Sequence, residues 1–407
     1  MVRRSLAVAL WSVVGLLACF LGALSALVGS DAGRTLLARV SEGALGRVFT
    51  GVIEVGDVHG SLLTGVTLSQ VRLFDADTTL VAVLPRVDLS YNPLDFAAGR
   101  VVLFEFALHQ PVINIVQHPT GRLNIEEFLR LGGPPSGPSG PATLILFRNV
   151  RIDDGAVTLR LQAGRPAPGD STLEIQSGGP NGRLRIRRFE HLHAQLASLQ
   201  VSAPRERGVR IAVTRLAFES TDPTVRLADL TGRLQVHGDS LELNVARARL
   251  PGSALRDAHG VVTWPHGPLR YDLQLHADSA TLRDFRFIDA RFGETPGAGV
   301  VAGTLRLRSH GPRLLEIGID PLRLTYGSGT VSGRLTAFSA ADSGLVALGG
   351  ADLEARDFDL EFARPFLDTL PFAGWLSGHT VADGRLTALA LDVAWTFRDS
   401  LVAGWPE

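Results

Sequence analysis

The chain has 407 residues and a formal net charge of -1, from 40 basic and 41 acidic side chains, so it carries no overall field for gathering nucleic acid or steering acidic substrates. Its 44 glycines and 22 prolines beside a 45% hydrophobic content suit many short strands joined by turns. The one cysteine, Cys19, excludes an intrachain disulfide and a cysteine-built metal site.

Residues 1–5 include Arg3 and Arg4, and from Leu6 to Val28 the chain reads LAVALWSVVGLLACFLGALSALV without a charge. At about 1.5 Å per residue this is long enough for a helix to span a hydrocarbon core of about 30 Å, so it reads as an uncleaved anchor, with a removed signal cleaved near the small residues Ala23 and Ser25 as the alternative. The leading arginines favour an inward N-terminus and export of the remainder. In residues 30–50, Leu36, Leu37, Val40 and Leu45 keep helical spacing, which predicts a short amphipathic helix after the span.

Extended segments follow: Val52 to Val55, Thr67 to Phe74, Thr79 to Leu84, Arg86 to Tyr91, Val101 to Leu108 and Val112 to Gln117. Asn124 is placed to cap a helix through Leu129, with Gly132 as its stop. GGPPSGPSGPA, residues 132–142, has nothing to anchor a core and reads as a linker between a β module at 29–131 and a repetitive β region at 143–407.

Beyond the linker, apolar letters fall on alternate positions in Val157-Thr158-Leu159-Arg160-Leu161, Leu241-Glu242-Leu243-Asn244-Val245, Leu305-Arg306-Leu307 and Leu322-Arg323-Leu324. Strand side chains alternate between faces, so each segment presents one apolar and one wet face. Asp154-Gly155, Asn181-Gly182, His259-Gly260 and Asp383-Gly384 are expected to be hairpin turns, because glycine accepts the positive φ of tight connections. Without long helical patterns for crossovers, antiparallel pairing is expected. The template P-x-A-G-x-x-x-G occurs at Pro296–Gly303 and Pro371–Gly378, an offset of 75 residues, and Gly-Arg-Leu recurs at 121, 182, 232, 333 and 384 as an expected strand start. Repeated starts argue for units stacked along one axis.

Chemistry is sparse. Gly238-Asp239-Ser240-Leu241 spells a string used by one group of hydrolases, but no histidine carries the aspartate three residues before it that such a serine needs, and an alternating strand follows, so a turn is the reading. His191-Leu192-His193 places two imidazoles on one strand face with no third ligand near in sequence. Asp153-Asp154 abuts Gly155 and reads as a turn. No nucleotide, zinc or calcium motif is present, and no cofactor or catalytic residue is expected. Arg183, Arg185 and Arg187 share one strand face, a row able to meet phosphate head groups or simply to stay solvated. There is no aromatic platform for nucleic acid around it.

The N-terminal span, then Val58-His59-Gly60-Ser61-Leu62-Leu63-Thr64-Gly65-Val66-Thr67-Leu68, Val87-Asp88-Leu89-Ser90-Tyr91-Asn92-Pro93-Leu94, Pro111-Val112-Ile113, Gly121-Arg122-Leu123-Asn124-Ile125 and Val150-Arg151-Ile152-Asp153-Asp154-Gly155, resemble the TamB and wider AsmA-like family. The likeness is loose over the chain and best over residues 50–160. It implies an inner-membrane-anchored periplasmic β tube or trough that supports outer-membrane biogenesis. The implied roles are moving phospholipid along an apolar groove and assembling outer-membrane proteins with a barrel partner of the TamA or BamA type. Such chains are much longer, so one ending at Gly404-Trp405-Pro406-Glu407 is expected to be a fragment.

The expected fold is thus mostly β: an N-terminal transmembrane helix, then an elongated antiparallel sheet curled into an open trough or tube with an apolar interior and few short helices. Leu63, Val66, Leu68, Val71, Leu73, Val157, Leu159, Leu161, Leu241, Leu243 and Val245 are candidate groove lining, and Arg183, Arg185 and Arg187 candidate head-group contacts. Membrane lipid is the expected partner. A structural or adhesive envelope protein with a dry core is the alternative, and a hydrolase acting through Ser240 a remote third.

Overall fold

A computed structural model describes residues 52–61, 65–75, 77–92, 94–95, 98, 100–120, 123–124, 144–163, 174–177, 182–202, 209–221, 224–237, 240–263, 270–286, 299–311, 314–340, 344–366 and 373–399. The expected span at 6–28, the helices at 30–50 and 125–129, the linker at 132–142, Asn181, Leu63 and the last eight residues lie outside them. Among the described residues no helix is long and apolar enough to cross a membrane. The chain is mostly β and divides into two compact units, residues 1–223 and 224–407.

In the first unit the strands are β1 (Val52–Glu54), β2 (Asp57–Ser61), β3 (Gly65–Phe74), β4 (Leu80–Tyr91), β5 (Val101–His109), β6 (Val112–Val116), β7 (Ile145–Gln162), β8 (Ile175–Gln176), β9 (Leu184–Ser202) and β10 (Val209–Thr221). β3 pairs antiparallel with β1, β2 and β4, and β4 with β5 and β6. β5 and β6 then pair parallel with β7, which pairs antiparallel with β9, and β9 with β10. The sheet is therefore mixed, which corrects the expectation of antiparallel pairing throughout. A parallel return needs only a long connection, and the residues between Val116 and Ile145 supply it.

A line of backbone irregularities crosses these strands. Gln70 in β3, Gln110 between β5 and β6, Asp154 in β7 and His191 in β9 all have φ near +50°. The register of β7 against β9 shifts on both sides of Gly155. Asp154-Gly155 is thus a bulge inside an uninterrupted strand and not a hairpin, because the left-handed conformation that serves a tight turn also serves a bulge. Pro85, expected to separate two strands, sits within β4 between its pairings to Ser69 and Val71, opposite Gln70, where the ladder is already broken.

Packing in this unit is closed. The directly opposed row Val66–Leu89–Phe106–Val150–Leu196–Val213 crosses from β3 to β10 with every member buried. So does the next row, Leu68–Val87–Leu108–Ile152–Ala194, from β3 to β9. Phe106 and Phe147 meet edge-on at 5.7 Å within this core. Asn124 does not act simply as the expected cap: its side chain accepts from Val116 N at 2.9 Å and donates to Asn114 O at 3.0 Å, standing in for a strand along β6.

The second unit holds β11 (Thr224–Leu227), β12 (Asp229–His237), β13 (Ser240–Leu250), β14 (Ser253–Thr263), β15 (Arg270–Thr281), β16 (Val300–His310), β17 (Leu314–Tyr326), β18 (Gly329–Ala340), β19 (Gly344–Asp359), β20 (Gly374–Arg385) and β21 (Ala388–Asp399). From β12 to β21 each strand pairs antiparallel with the next, a ten-strand meander. Its two-residue connections include Pro251-Gly252, Gly327-Ser328 and Leu386-Thr387. His259-Gly260 and Asp383-Gly384 lie inside β14 and β20, which corrects their reading as turns.

The internal repeat is structural. A 3-10 turn follows β15 at Leu282–Phe285 and another follows β19 at Leu360–Phe366, so β12–β15 and β16–β19 form two four-strand blocks and β20–β21 open a third. Gly303 and Gly378, the last glycines of the repeated template, sit inside the first strand of their blocks with φ of +146° and +141°. A Cβ at either would lie 2.0 Å from a carbonyl oxygen of the adjacent strand, Pro321 O and Ala394 O respectively. The template therefore marks close backbone approach. Gly-Arg-Leu at 232 and 333 likewise falls within β12 and β18, the copy at 384 closes β20 with Leu386 in the connection, and the copy at 182 leads into β9.

Candidate functional site

The side chains that could do work in the second unit are hydrocarbon. Gly260 in β14 opposes Leu243 and Leu273, and the row continues through directly paired residues: Leu234–Leu243–Gly260–Leu273–Leu307–Ile317–Ala337–Leu348–Gly384–Leu389. It crosses all ten strands without a polar side chain. Opposed residues of an antiparallel pair share a face, so this is one apolar stripe, roughly 40 Å along the sheet at about 4.8 Å per strand. Every member is only half-buried. That separates it from the equivalent rows of the first unit, whose members are sealed.

One end of the same face is covered. In β16, Val301, Gly303, Leu305 and Leu307 alternate on one side, and Val301 leads through Leu324 and Val331 to Ala355. Ala355, Phe358 and Phe362 form a buried cluster, with Leu282, Leu324, Tyr326 and Val331 packed against it. Phe362 belongs to the 3-10 turn after β19 and meets Tyr326 at 5.2 Å and Phe358 at 5.6 Å. The earlier 3-10 turn is tied down by polar contacts instead: Asp284 accepts from Gly252 N at 2.9 Å and from Ser253 Oγ at 2.6 Å, and Ser253 Oγ accepts from Thr281 N at 3.0 Å.

The opposite face is wet and charged. Arg256 bonds Asp278 at 2.7 Å and Asp257 at 2.9 Å, and Arg247 reaches Asp229 at 3.0 Å. Asp352 lies 3.5 Å from Arg334 and 2.8 Å from His379. The hydrogen bond with His379 holds the Asp352 carboxyl below the usual carboxylate range and pushes the His379 imidazole up. These exposed pairs contribute little to stability, but they fix which face meets water.

The sequence-derived candidates divide between the units. Val66, Leu68, Val71, Leu73, Val157, Leu159 and Leu161 are all buried in the first unit, where they form closed core and not an accessible wall. In the second unit Leu241 and Val245 are buried and Leu243 is half-buried in the stripe. Leu307 belongs to a segment whose alternation is plain in the sequence but was not among the candidate lining, and Leu234, Leu273, Ile317, Leu348 and Leu389 were missed; Leu-x-Leu spacing could have flagged Leu273 and Leu389. The arginine row also comes out differently. Arg183 is exposed and Arg185 half-buried, while Arg187 is 2% exposed. Arg185 opposes Leu161 and Arg187 opposes Leu159, so these two stand on the face of the buried leucines and not on a separate wet row.

The remaining motifs have structural partners. Ser240 Oγ donates to His237 O at 2.9 Å, closing the β12–β13 connection. His191 Nδ1 lies 3.3 Å from Asp154 Oδ1, and Asp154 N donates to His193 Nδ1 at 3.3 Å, so both imidazoles bracket the β7 bulge. Among the described residues no group of three or more His, Cys, Asp or Glu side chains is arranged to hold a metal. Compared with protein-family models, with curated proteins and with solved structures, the chain matches none.

Proposed function

We propose that the second unit carries the acyl chains of membrane lipid along its half-buried apolar stripe, as part of an inner-membrane-anchored envelope protein that supports outer-membrane biogenesis. The observation that carries this reading is the uninterrupted row from Leu234 to Leu389, apolar or glycine at every strand and open to contact at every strand. A soluble sheet gains nothing from leaving such a row unsealed, since each buried methylene is worth about 0.8 kcal/mol; a continuous apolar strip left partly open to solvent suits a binding surface. The stripe is longer than the roughly 15 Å of hydrocarbon that one leaflet presents. Lipid passing from a bilayer to such a surface exchanges one apolar environment for another, so transfer along it is close to level in free energy, as a conduit requires. The likeness of residues 50–160 to the TamB and AsmA-like family supports the anchorage and the periplasmic setting, and no catalytic step is needed.

The test is site-specific photo-crosslinking in the full chain, expressed in a bacterial envelope, with the crosslinker at Leu307 on the stripe or at Arg306 on the wet face. Lipid adducts read by mass spectrometry at 307 and not at 306 are the expected result. Adducts at neither position, or equally at both, would sink the reading.

A further inference from the structure

Along β16, β17 and β18 the apolar face of the second unit changes chemistry from one end to the other. Just past the stripe Ser309 opposes Leu315 and Leu315 opposes Ser339, so two half-buried hydroxyls flank a leucine on the apolar side. Ser309 Oγ accepts from Tyr271 N at 2.8 Å, which leaves its own O–H to donate. At the far end Phe362 is buried, and its ring leaves no room for a Cβ at Gly299. Between the ends the face closes by degrees. Leu305, Ile319 and Leu335 are half-buried like the stripe, and Leu322 in the next row is buried. Gly303 and Gly333 flank Leu322, so no side chain rises on either side of it. Gly303 and Ser309 are six residues apart on β16, about 20 Å at about 3.4 Å per residue, which exceeds the roughly 15 Å of hydrocarbon in one leaflet.

Taking the lipid reading above as given, we infer that each acyl chain lies along the strands of this block, with its ester end at Ser309 and Ser339 and its terminal methyl against Phe362, so that Phe362 sets the length of chain accepted. The aromatic end is sealed by Phe358, Phe362 and Ala355, so a phosphate head group stands at the hydroxyl end. There Arg308 lies 3.8 Å from Asp272 and His310 meets Glu316, which leaves Arg270, exposed at the start of β15, to serve an anionic head. A chain laid the other way, across the strands, would draw its head over leucines and strip it of water at high cost. Laid along the strands, the chain passes from strand to strand of the stripe while its head stays in solvent.

The experiment uses the full chain reconstituted in vesicles of phosphatidylglycerol in which one acyl chain carries a diazirine, either beside the ester carbonyl or beside the terminal methyl, with photolabelled residues read by mass spectrometry. The carbonyl-side probe is expected to mark Leu307, Leu315 and Ala337 above Leu322, Leu324 and Val331, and the methyl-side probe the reverse. Equal marking of the two sets by both probes, or the opposite order, would overturn the inference while leaving lipid binding intact; marking of neither set would take the lipid reading down with it. Phe362→Ala is expected to lengthen the acyl chains of the lipid that co-purifies by about two carbons or more, as the space of the ring opens. Ser309→Ala with Ser339→Ala is expected to leave chain length unchanged and to weaken capture of the carbonyl-side probe at Leu307 about fivefold, as for one lost hydrogen bond. An unchanged chain length in Phe362→Ala, or longer chains in the serine pair, would end the role given to Phe362. The labelling order in the unsubstituted chain decides the orientation even where Phe362→Ala loosens its turn.

Discussion

If the stripe of the second unit is open and the rows of the first unit are closed, the same substitution must cost different amounts in each. Leu108 and Leu307 make the comparison, because both lie in apolar rows, Leu108 between Val87 and Ile152 and Leu307 between Leu273 and Ile317. Leu108→Gln removes about 2 kcal/mol of apolar burial and adds about 1–3 kcal/mol for an amide with no partner, so a loss of about 3–5 kcal/mol is expected. That is a large share of the 5–15 kcal/mol typical of a folded domain. At Leu307 the amide can turn toward solvent that the leucine already meets, and a loss of about 1 kcal/mol is expected by the same reckoning. The two units need not unfold together, so the assay is hydrogen exchange of the full chain, read on segments covering β5 and β16. A gap of about 3 kcal/mol corresponds to more than a hundredfold difference in opening. Equal acceleration in the two segments would show the stripe to be as dry as the core and would refute the reasoning.

Four other substitutions test how the fold is held. Gly303→Ala and Gly378→Ala each drive a methyl toward a neighbouring carbonyl at 2.0 Å, so both are expected to unzip their strands by more than about 2 kcal/mol in local exchange, equally if the two blocks are equivalent. Asp75, fully buried, accepts from Asp77 N at 2.9 Å and Thr79 N at 2.7 Å, and Asp75→Ala is expected to cost about 1–3 kcal/mol in denaturant midpoint by orphaning both. Asp88 tests acid stability: partial burial works against its charge, but hydrogen bonds from Arg86, Thr67 and His109 and the charge of Arg86 outweigh that and hold its carboxyl below the ordinary value. Its folded value being the lower, the stabilisation is complete above about 3.9 and is lost as pH falls through the folded value. Asp88→Asn is expected to flatten that acid limb, and unchanged acid unfolding would count against the cluster.

The strands themselves were legible, because alternation in segments such as 157–161 and 241–245 is a local property of the pleat. Pairing direction was less so: the parallel return of β7 beside β5 and β6 depends on the reach of the connection after Val116, which hydrophobic periodicity does not encode. Glycine punctuation misled for a specific reason. A residue such as Asp154 or Gly384 declares a positive φ, and a bulge, a close strand approach and a hairpin all ask for it. Only cross-strand register separates them. The repeat at Gly303 and Gly378 survived because two copies at a fixed offset carry more information than any one glycine.

Openness was the property least visible in the letters, and it is the one on which function turns. Leu68 and Leu307 have the same kind of neighbours in sequence: an apolar residue two positions before and polar residues on either side. What differs is whether anything lies over the face. In the first unit six strands present sealed rows, whereas among the described residues of the second the covering elements are 3-10 turns that reach only one end, through Phe362 and Leu282. Among the described residues, one covering turn per four strands does not close a stripe that runs across every strand, since each turn hides the few residues beneath it and leaves the middle of the strands half-buried. The block length therefore sets the exposure. Adding blocks lengthens the apolar path without sealing it, and that follows from the architecture whichever hydrophobic guest the path receives.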